Sequence, residues 1–258
     1  MTIGERLGDL ASNIYEKVLL EEIAKRPKPK HLGIITDGNR RFATKKGKPA
    51  NYGHEKGKDK LEEVLQWCMD VGIKIVTVYG FSTENFSRKK EEVSFLFHLI
   101  DRSLRDLMKD QRVIRNGIKV KIIGELQTLP KFLVRTIKET ENFTSGFNNF
   151  RLNLAIGYGG REEIINGIKK IAEDVLKGKI SVNDINEESF RNYLYEPSLP
   201  DPDLILRTSG EERVSNFLLW QSAYSEFYFS EVNWPELKKI DFLRAIYSYQ
   251  TRERRYGY

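Results

Sequence analysis

One stretch of the sequence decides the fold, and it reads His31-Leu32-Gly33-Ile34-Ile35-Thr36-Asp37-Gly38-Asn39-Arg40-Arg41-Phe42-Ala43. Its first half is an apolar run that is typical of a buried strand, and this run ends at Asp37. Gly38 and Asn39 tolerate unusual backbone angles, and two arginines follow where a helix would begin. The stretch therefore predicts a strand, a tight turn and a helix N-terminus in immediate succession.

The same alternation continues along the chain. Short apolar runs predict buried strands at 31–36, 73–81, 118–123, 150–156 and 203–207. The segments between them predict helices at 52–70, 90–115, 130–143, 161–177, 187–195 and 235–250. This alternation is typical of an α/β fold in which helices flank a central, mostly parallel sheet. In such sheets, functional sites form at the carboxyl ends of the strands.

Before the first strand, residues 3–23 place apolar side chains on one stripe, which predicts an amphipathic helix. Its polar face is mixed in sign, so we expect it to pack on the protein rather than on a membrane. The prolines at 27 and 29 then break the chain. We expect an N-terminal helix within 1–25 and a single domain over 31–258.

Composition excludes several classes of protein. With 40% hydrophobic and 31% charged residues among 258, the chain is expected to fold. The net charge of +6 is spread over short clusters, which argues against a nucleic-acid partner. The single cysteine, Cys68, lies among apolar residues and is expected in the core. Because no apolar stretch is long enough to span a bilayer, we expect a cytoplasmic protein; the basic clusters leave attraction to a membrane surface open.

Three stretches carry chemistry, and the first is the turn at Asp37. A carboxylate at a strand tip can hold a hard cation such as Mg²⁺. The amides from Gly38 to Arg41 can point at a phosphate, and Arg40 or Arg41 can clamp its oxygens. The alternative is an ordinary tight turn with a capping aspartate.

The second stretch follows the strand expected at 73–81, and it contains Ser82, Asn85 and Arg88. These side chains can bind phosphate or relay a proton; the alternative is a loop that Ser82 or Thr83 caps. A shorter pattern, Gly53-His54-x-x-Gly57, is weak evidence by itself, because a lone histidine at a helix start is more often structural.

The third stretch runs from Pro202 to Glu226. A strand delivers Arg207 to its tip, and a glycine-containing loop with Arg213 and Ser215 follows. Two arginines and a hydroxyl around such a loop make a second anion site. The alternative is that surface arginines pair with Glu211 and Glu212.

Together the three stretches resemble the signatures of the cis-prenyltransferases, a family that includes the undecaprenyl diphosphate synthases. The resemblance covers His31 to Gly257. It implies an undecaprenyl diphosphate synthase-like fold and Mg²⁺-dependent condensation of isopentenyl diphosphate onto an allylic primer, geranylgeranyl or farnesyl diphosphate. The product would be a long-chain polyprenyl diphosphate such as undecaprenyl diphosphate, a precursor of the lipid that carries glycans.

The resemblance also implies roles for individual residues. It makes Asp37 and Asn85 catalytic, and it makes Asp37 and Glu226 the metal ligands. It implies a homodimer in which Arg255 and Gly257 help to hold diphosphate in the neighbouring site, and a product that partitions into the membrane. The residues that it implies for substrate binding are Gly38, Asn39, Arg40, Arg41, Phe42, His54, Ser82, Thr83, Glu84, Phe86, Arg88, Arg207, Arg213, Val214, Ser215 and Gly257.

Two positions depart from the family pattern. Ala50 stands where an arginine often contacts phosphate, and Lys46 or Lys48 could compensate for it. Glu212 stands where a histidine is common. A further expectation concerns the apolar face of residues 93–108, which could line a tunnel for the growing product or simply pack in the core.

Three other functions fit the sequence less well. A noncatalytic subunit of a heteromeric prenyltransferase usually lacks parts of the signatures that this chain keeps. A phosphatase with an aspartate nucleophile usually has a second carboxylate two residues on, where this chain has Asn39. A trans-type prenyltransferase would be all-helical with Asp-Asp-x-x-Asp motifs, which this chain lacks.

Overall fold

The structure is a computed structural model that describes the backbone of residues 3–252 and the side chains of residues 14–252. Helices and strands alternate along most of the described chain. The helices are α1 (Ile3–Ala24), α2 (Asn39–Lys45), α3 (Ala50–Val71), α4 (Lys90–Lys109), α5 (Gln111–Arg115), α6 (Lys131–Phe143), α7 (Gly160–Leu176), α8 (Glu187–Arg191) and α9 (Lys239–Thr251). The strands are β1 (His31–Ile35), β2 (Ile75–Ser82), β3 (Ile118–Ile123), β4 (Phe150–Tyr158), β5 (Leu204–Arg207) and β6 (Glu226–Phe229).

The six strands form one sheet in the order β3-β4-β2-β1-β5-β6, and every pair in it is parallel. The predicted α/β class with a central parallel sheet is confirmed. All residues of β1 are buried, as an apolar strand between two neighbours requires. In the register, Ile35 at the end of β1 lies opposite Tyr79 of β2 and Arg207 of β5. The ends of β1, β2 and β5 therefore meet at one edge of the sheet.

Two elements differ from the sequence-based expectation. Strand β6 was not predicted, because its four residues are all half-buried and show no alternation of apolar and polar positions. The helix expected over 90–115 is divided at Asp110, whose carboxylate accepts a hydrogen bond from the amide of Arg112 at 2.8 Å and caps α5. The chain therefore turns between α4 and α5.

Helix α1 packs along α9, and its Leu19 and Ile23 are buried in the main hydrophobic core. The side chain of Gln250 on α9 is joined to the end of α1, since its amide donates to the carbonyl of Ile23 at 3.1 Å. The predicted division into an N-terminal helix and a separate domain stays a prediction. Within residues 3–252, no helix is both long enough and apolar enough to cross a membrane.

Cys68 lies on α3 and is fully buried in the same core, as expected. Burial raises the pKa of its thiol, because the charged thiolate is poorly solvated there. The side chain therefore acts as a small apolar residue under ordinary conditions.

A polar cluster lies inside the sheet at the start of β1. The imidazole of His31 is fully buried, with Nδ1 2.7 Å from the carbonyl of Pro200 and Nε2 2.7 Å from Oγ1 of Thr77. Because a carbonyl can only accept, Nδ1 carries the proton and Nε2 accepts from the Thr77 hydroxyl. Asn153 of β4 donates to the same hydroxyl oxygen at 3.1 Å. Burial lowers the pKa of His31 to about 4, so the folded protein holds this imidazole neutral.

This burial predicts a loss of stability in mild acid. An exposed histidine in the unfolded chain has a pKa of about 6.5, so between about pH 6.5 and pH 4 the unfolded state binds one more proton. The free energy of unfolding should then decrease by up to about 1.4 kcal/mol for each unit by which the pH is lowered in this range. Urea unfolding at a series of pH values measures this dependence. The free energy of unfolding should change less steeply with pH in His31→Gln than in the wild-type protein over this range. An equal pH dependence in the two proteins would contradict the conclusion that His31 is held neutral in the folded state.

Candidate active site

The turn after β1 is held rigidly by the segments around it. Gly38 adopts φ 102°, in the left-handed region, and a Cβ added there would lie 2.5 Å from Oδ1 of Asn233. The carbonyl of Asp37 accepts hydrogen bonds from Thr208 Oγ1 at 2.7 Å and from the amide of Trp234 at 2.9 Å. The position of Asp37 is thus fixed by residues that follow β5 and β6.

The Asp37 carboxylate pairs with Arg207 at the end of the neighbouring strand. Its Oδ2 accepts from Nε of Arg207 at 3.0 Å and from Nη2 at 2.6 Å. The side chain of Arg207 is only 2% exposed, whereas that of Asp37 is 39% exposed. Two signature residues that lie 170 positions apart in the chain therefore form one charge pair.

The remaining side of the Arg207 guanidinium organises the loop after β5. Nη1 donates to Oγ of Ser215 at 2.8 Å and to the carbonyl of Arg213. Ser215 and Asn216 both adopt positive φ, at 46° and 63°, which is costly for residues other than glycine. Arg207 thus helps to hold this loop in an unfavourable backbone conformation at the edge of the sheet.

Asn216 joins this loop to two other strand ends. Its Nδ2 donates to Glu84, after β2, at 3.0 Å, and its Oδ1 accepts from the amide of Arg161, after β4, at 2.8 Å. The loops that follow β2, β4 and β5 are therefore linked through one side chain.

A second cluster is centred on Glu92, near the N-terminus of α4. Oε1 of Glu92 accepts from Nε2 of His54 at 3.1 Å and from Nη1 of Arg88 at 3.1 Å, and Nε of Arg40 lies 3.8 Å from it. Burial alone raises the pKa of Glu92, but the His54 hydrogen bond and the Arg88 and Arg40 charges bring it below its usual value. One carboxylate thus collects two arginines and a histidine from three separate elements.

The Gly53-His54-x-x-Gly57 pattern has a packing role. A Cβ on Gly53 would lie 2.0 Å from the carbonyl oxygen of Asn39, and one on Gly57 would lie 2.3 Å from its side-chain Oδ1. Only glycine therefore allows α3 to press directly on the start of α2. This contact places His54 beside Glu92 with its imidazole buried, and desolvation lowers the pKa of His54.

Arg41 and Arg213 face each other across Glu211. Both guanidinium groups bind this carboxylate, and Nη1 of Arg41 also donates to the carbonyl of Ser209 at 2.8 Å. The alternative noted from the sequence, that arginines pair with nearby glutamates, is thus partly realised. More than half of each arginine side chain remains exposed, so both stay accessible to an anion.

These clusters surround a basic cleft of about 1130 Å³ at the carboxyl ends of the strands. Its lining includes six arginines and Lys45. The cleft brings together most of the residues expected to form the site: Asp37, Gly38, Asn39, Arg40, Arg41, His54, Ser82, Glu84, Asn85, Arg88, Arg207, Arg213, Val214 and Ser215.

Some of the expected residues lie elsewhere. Phe42 is buried and stacks on Tyr52 at a ring distance of 6.0 Å, and Phe86 packs edge-on against Phe81 at 5.0 Å. Neither ring lines the cleft, and neither does Thr83. Gly257 and Arg255 lie outside the described residues. Asn85 lines the cleft, and its Oδ1 accepts from the amide of Ser82 at 3.1 Å in a capping interaction.

Glu226 begins β6 and does not line the basic cleft. The register pairs it with Leu204, the first residue of β5, whereas Arg207 ends that strand beside Asp37. Glu226 accepts a hydrogen bond from Arg252 at 2.7 Å. Its role as a metal ligand together with Asp37 stays a prediction.

Within residues 14–252, no three His, Cys, Asp or Glu side chains are grouped to hold a metal ion. Asp37, without a second protein ligand, is compatible with a cation that is also bound by a diphosphate. Both hydrogen bonds from Arg207 go to Oδ2, and among the described residues none is found to Oδ1. Magnesium commonly binds through one or two carboxylates together with substrate phosphates and water, so one accessible carboxylate at the cleft is compatible with it.

An apolar cavity of about 390 Å³ adjoins the basic cleft. The two share lining residues, namely Thr36, Asn39, His54, Gly80 and Leu96. The cavity continues between α3, α4 and the sheet. A polar, basic compartment and an apolar compartment are therefore contiguous at the end of β1.

Several residues of the site were missed in the sequence. Arg161 follows two glycines at the end of β4, and the strand-end rule could have identified it. Glu92 lies four residues after Arg88, the spacing of a helical ion pair. Lys45 lines the cleft where Lys46 or Lys48 was expected to compensate for Ala50. No local pattern indicates that Glu211 joins Arg41 to Arg213.

Comparisons with known proteins agree with this architecture. Residues 35–257 match the family model described as "Putative undecaprenyl diphosphate synthase". The chain is 67% identical over 251 residues to the tritrans,polycis-undecaprenyl-diphosphate synthase (geranylgeranyl-diphosphate specific) of Picrophilus torridus, covering 97% of this chain and 98% of that protein. It is 64% identical to the protein of the same name from Thermoplasma volcanium, with complete coverage of both. The crystal structure of lavandulyl diphosphate synthase from Lavandula x intermedia, in complex with dimethylallyl diphosphate, superposes with a TM-score of 0.86 at 34% identity, over 92% of this chain and 100% of that chain.

The Glu92 cluster predicts a measurable effect on His54. The hydrogen bond and charge of Glu92 raise the pKa of His54 against the larger effect of burial. The substitution Glu92→Gln removes the carboxylate charge, so the pKa of His54 should fall further. NMR titration of the imidazole measures this change. The matched control is Glu91→Gln, an exposed neighbour that should leave His54 unchanged. An unaltered His54 titration in Glu92→Gln would contradict the arrangement.

Proposed function

This chain belongs to the undecaprenyl diphosphate synthase family of prenyltransferases, and on that premise we propose that it lengthens an allylic prenyl diphosphate with isopentenyl diphosphate. The observation that carries the proposal is the basic cleft at Asp37 and Arg207, which continues into an apolar cavity. A prenyl diphosphate has a charged head and an apolar tail, so its two ends require these two environments side by side.

The primer in this proposal is geranylgeranyl diphosphate, and the product is a long polycis-prenyl diphosphate such as undecaprenyl diphosphate. Support comes from the names of the two archaeal relatives, both of which state specificity for geranylgeranyl diphosphate. At 67% and 64% identity over nearly the whole chain, a shared primer is the simplest expectation.

We assign the two diphosphates to neighbouring strand ends. The allylic diphosphate would bind at the end of β1, where the amides of Gly38 to Arg41 and the arginines 40, 41 and 88 converge near His54. Isopentenyl diphosphate would bind at the end of β5, to Arg213 and Ser215, where Val214 also lines the cleft. Arg207 is buried, so its role would be to position Ser215 and Asp37 as much as to contact phosphate.

The reaction needs no covalent enzyme intermediate. The allylic C–O bond breaks and its electron pair leaves with the diphosphate. The double bond of isopentenyl diphosphate supplies the electrons of the new C–C bond, and loss of a proton then forms the new cis double bond. The chain would act by orienting the two substrates and by stabilising the departing negative charge with arginines. An amide is a poor base, so a diphosphate oxygen near Asn85 would take the proton.

A divalent cation, Mg²⁺ in this proposal, would be held by Asp37 together with diphosphate oxygens and water. When bound, it would neutralise diphosphate charge and ease departure of the leaving group. Asp37 is suited to this role because Arg207 orients its carboxylate while 39% of the side chain remains exposed.

The adjoining cavity would receive the growing prenyl chain. Four of the seven apolar residues expected on the wall formed by 93–108 line it, namely Leu96, Ile100, Leu104 and Leu107. The other three, Val93, Phe97 and Met108, do not, and Phe97 packs against Phe81 and Phe86. The helix thus serves as cavity wall on one side and as core on another.

We also propose a homodimer, which would give Glu226 and the C-terminal tail a place near a second site. Strand β6 is an edge of the sheet, and its half-exposed Phe227 and Phe229 leave apolar surface there for a partner. Sedimentation equilibrium would measure the assembly, and a monomer at micromolar concentration would reject it. The cytoplasmic location and the partition of product into the membrane stay predictions.

The primer assignment is tested by product analysis. The purified chain, incubated with radiolabelled isopentenyl diphosphate and Mg²⁺, should give long polyprenyl products from geranylgeranyl diphosphate with a higher kcat/KM than from farnesyl diphosphate. Equal or better use of the farnesyl primer would overturn the specificity. No incorporation from either primer would overturn the activity itself. The chain would then fit a noncatalytic subunit better than a working enzyme.

The Asp37 assignment is tested by Asp37→Asn. The substitution weakens the hold on the cation that would stabilise the leaving diphosphate. Loss of one such stabilising interaction typically costs about 10²–10³ in rate, and we expect a fall of that order in the first condensation. Stability should also fall, because the substitution leaves buried Arg207 without its counter-charge. Since Asp37 is partly exposed, that loss should be below the ~3–5 kcal/mol typical of a fully buried pair.

The control for Asp37→Asn is Asp59→Asn, an exposed carboxylate that pairs with Lys56 on α3 and should leave the rate unchanged. Thermal unfolding monitors whether each variant is folded at the assay temperature. A folded Asp37→Asn enzyme with full activity in added Mg²⁺ would reject the role of Asp37.

A further inference from the structure

One arginine of the basic cleft has no carboxylate partner. Among the described residues, seven arginine and lysine side chains line the cleft, and six of them pair with a carboxylate. The seventh is Arg161, whose exposed side chain makes no ion pair and no hydrogen bond to any described residue. The six pairs are Arg40 and Arg88 with Glu92, Arg41 and Arg213 with Glu211, Arg207 with Asp37, and Lys45 with Glu236.

The backbone of Arg161 is nevertheless fixed beside the loop that follows β5. Its amide donates to Oδ1 of Asn216 at 2.8 Å, and the amide of Gly160 donates to the carbonyl of Asn216 at 2.7 Å. Strand β4 lies three places from β5 in the sheet, which corresponds to roughly 14 Å. The loop after β5 therefore reaches back across the ends of β1 and β2 to meet α7. Because Ser215 directly precedes Asn216, the side chain of Arg161 starts next to the loop that carries Ser215.

The wall around Arg161 also carries negative charge. Nδ2 of Asn216 donates to Oε1 of Glu84 at 3.0 Å and to Oε2 of Glu162 at 3.1 Å. Burial raises the pKa of Glu84, but hydrogen bonds from the backbone and from Ser82 and Asn216 bring it below its usual value, so this carboxylate stays ionised. A neutral amide satisfies both carboxylates and leaves their charges in place. A diphosphate at this wall would be repelled by them, and the guanidinium of Arg161 is placed to counter that repulsion.

We propose that Arg161 is a further binding residue for isopentenyl diphosphate, and that its guanidinium contacts the diphosphate from the β4 side of the cleft. The inference rests on the proposed function, since that function places isopentenyl diphosphate at Arg213 and Ser215. A guanidinium presents several N–H donors in a planar fork that matches the oxygens of a phosphate. With its amide fixed at Asn216 and its side chain free, Arg161 can turn this fork toward a diphosphate that lies on the Ser215 loop.

Arg161 differs from the paired arginines in what it contributes. Arg213 must exchange Glu211 for the diphosphate, so part of the new interaction only replaces an old one. Arg161 has no carboxylate to exchange, and its charge-assisted hydrogen bonds add to affinity, less the entropy of ordering an exposed side chain. The bond that breaks belongs to the allylic diphosphate at the end of β1. Arg161 therefore acts on the binding of isopentenyl diphosphate and not on the rate of the chemical step.

Calorimetric titration with isopentenyl diphosphate tests this assignment directly. The purified chain is titrated in Mg²⁺ without a primer, so that no condensation occurs. The Kd should rise roughly tenfold in Arg161→Gln, the lower end of the range for hydrogen bonds to charged groups, because the side chain is exposed. Arg161→Lys keeps the charge without the fork and should recover part of the lost affinity. The Kd for geranylgeranyl diphosphate should stay the same in both variants.

Steady-state kinetics and a matched control complete the test. In Arg161→Gln the KM for isopentenyl diphosphate should rise by a similar factor while kcat is retained, as expected when an interaction is equally strong in the ground state and the transition state. The control is Arg135→Gln on α6, an exposed arginine without an ion pair among the described residues that does not line the cleft, and it should leave both constants unchanged. Thermal unfolding shows whether each variant is folded at the assay temperature. Arg161→Met, which keeps a long side chain without the charge, replaces Arg161→Gln if the latter unfolds.

Four outcomes would overturn the role of Arg161. The first is an unchanged Kd for isopentenyl diphosphate in a folded Arg161→Gln protein. The second is a raised Kd for geranylgeranyl diphosphate instead, which would assign the arginine to the other diphosphate. The third is a lysine variant as impaired as the glutamine variant, and the fourth is an equal loss in the Arg135 control, which would show a general effect of net charge. Failure of the proposed function is distinguishable, because the wild-type chain itself would then form no polyprenyl product.

Discussion

The charge pair between Asp37 and Arg207 is the contact on which the site depends. Parallel pairing of β1 with β5 brings the two strand ends together, and the guanidinium then reaches both the β1 turn and the loop that contains Ser215. A nearly buried arginine is tolerated only if its donors are satisfied, and here Asp37, Ser215 and the carbonyl of Arg213 satisfy them. The pair thus couples the sheet to the geometry of both loops that border the basic cleft.

A second constraint is the boundary between the basic cleft and the apolar cavity. Residues such as Asn39 and His54 line both spaces, and the glycines at 53 and 57 let α3 approach α2 closely enough to form that boundary. A larger residue at either glycine would push the helix away from Asn39. The boundary would then widen, and water would reach the apolar side. Close packing at these glycines therefore shapes the boundary at which the basic cleft meets the apolar cavity.

Local patterns in the sequence predicted the strands that deliver Asp37, Ser82 and Arg207, because apolar runs that end in polar residues are visible in a single chain. They did not predict β6, which is short and half-buried throughout. Without the register of β6 against β5, the place of Glu226 relative to Asp37 could not be judged from the sequence. The carboxylates that organise the arginines were only partly predicted. Pairing of Glu211 with nearby arginines was an alternative, but its contact with Arg41 was missed, because the two residues lie 170 positions apart and only the fold brings them together.

Those carboxylates explain how a cleft with so much positive charge folds. Glu92 neutralises part of the charge of Arg40 and Arg88, and Glu211 does the same for Arg41 and Arg213. In the proposed reaction, an incoming diphosphate would offer stronger, multidentate acceptors and would replace the carboxylates while the arginines stay nearly in place. The arginines would then be oriented before substrate binds, and little reorganisation would be needed as negative charge develops on the leaving group. In this proposal, the acidic residues at the rim of the site contribute to anion binding, because they hold the arginine side chains in position before the anion arrives.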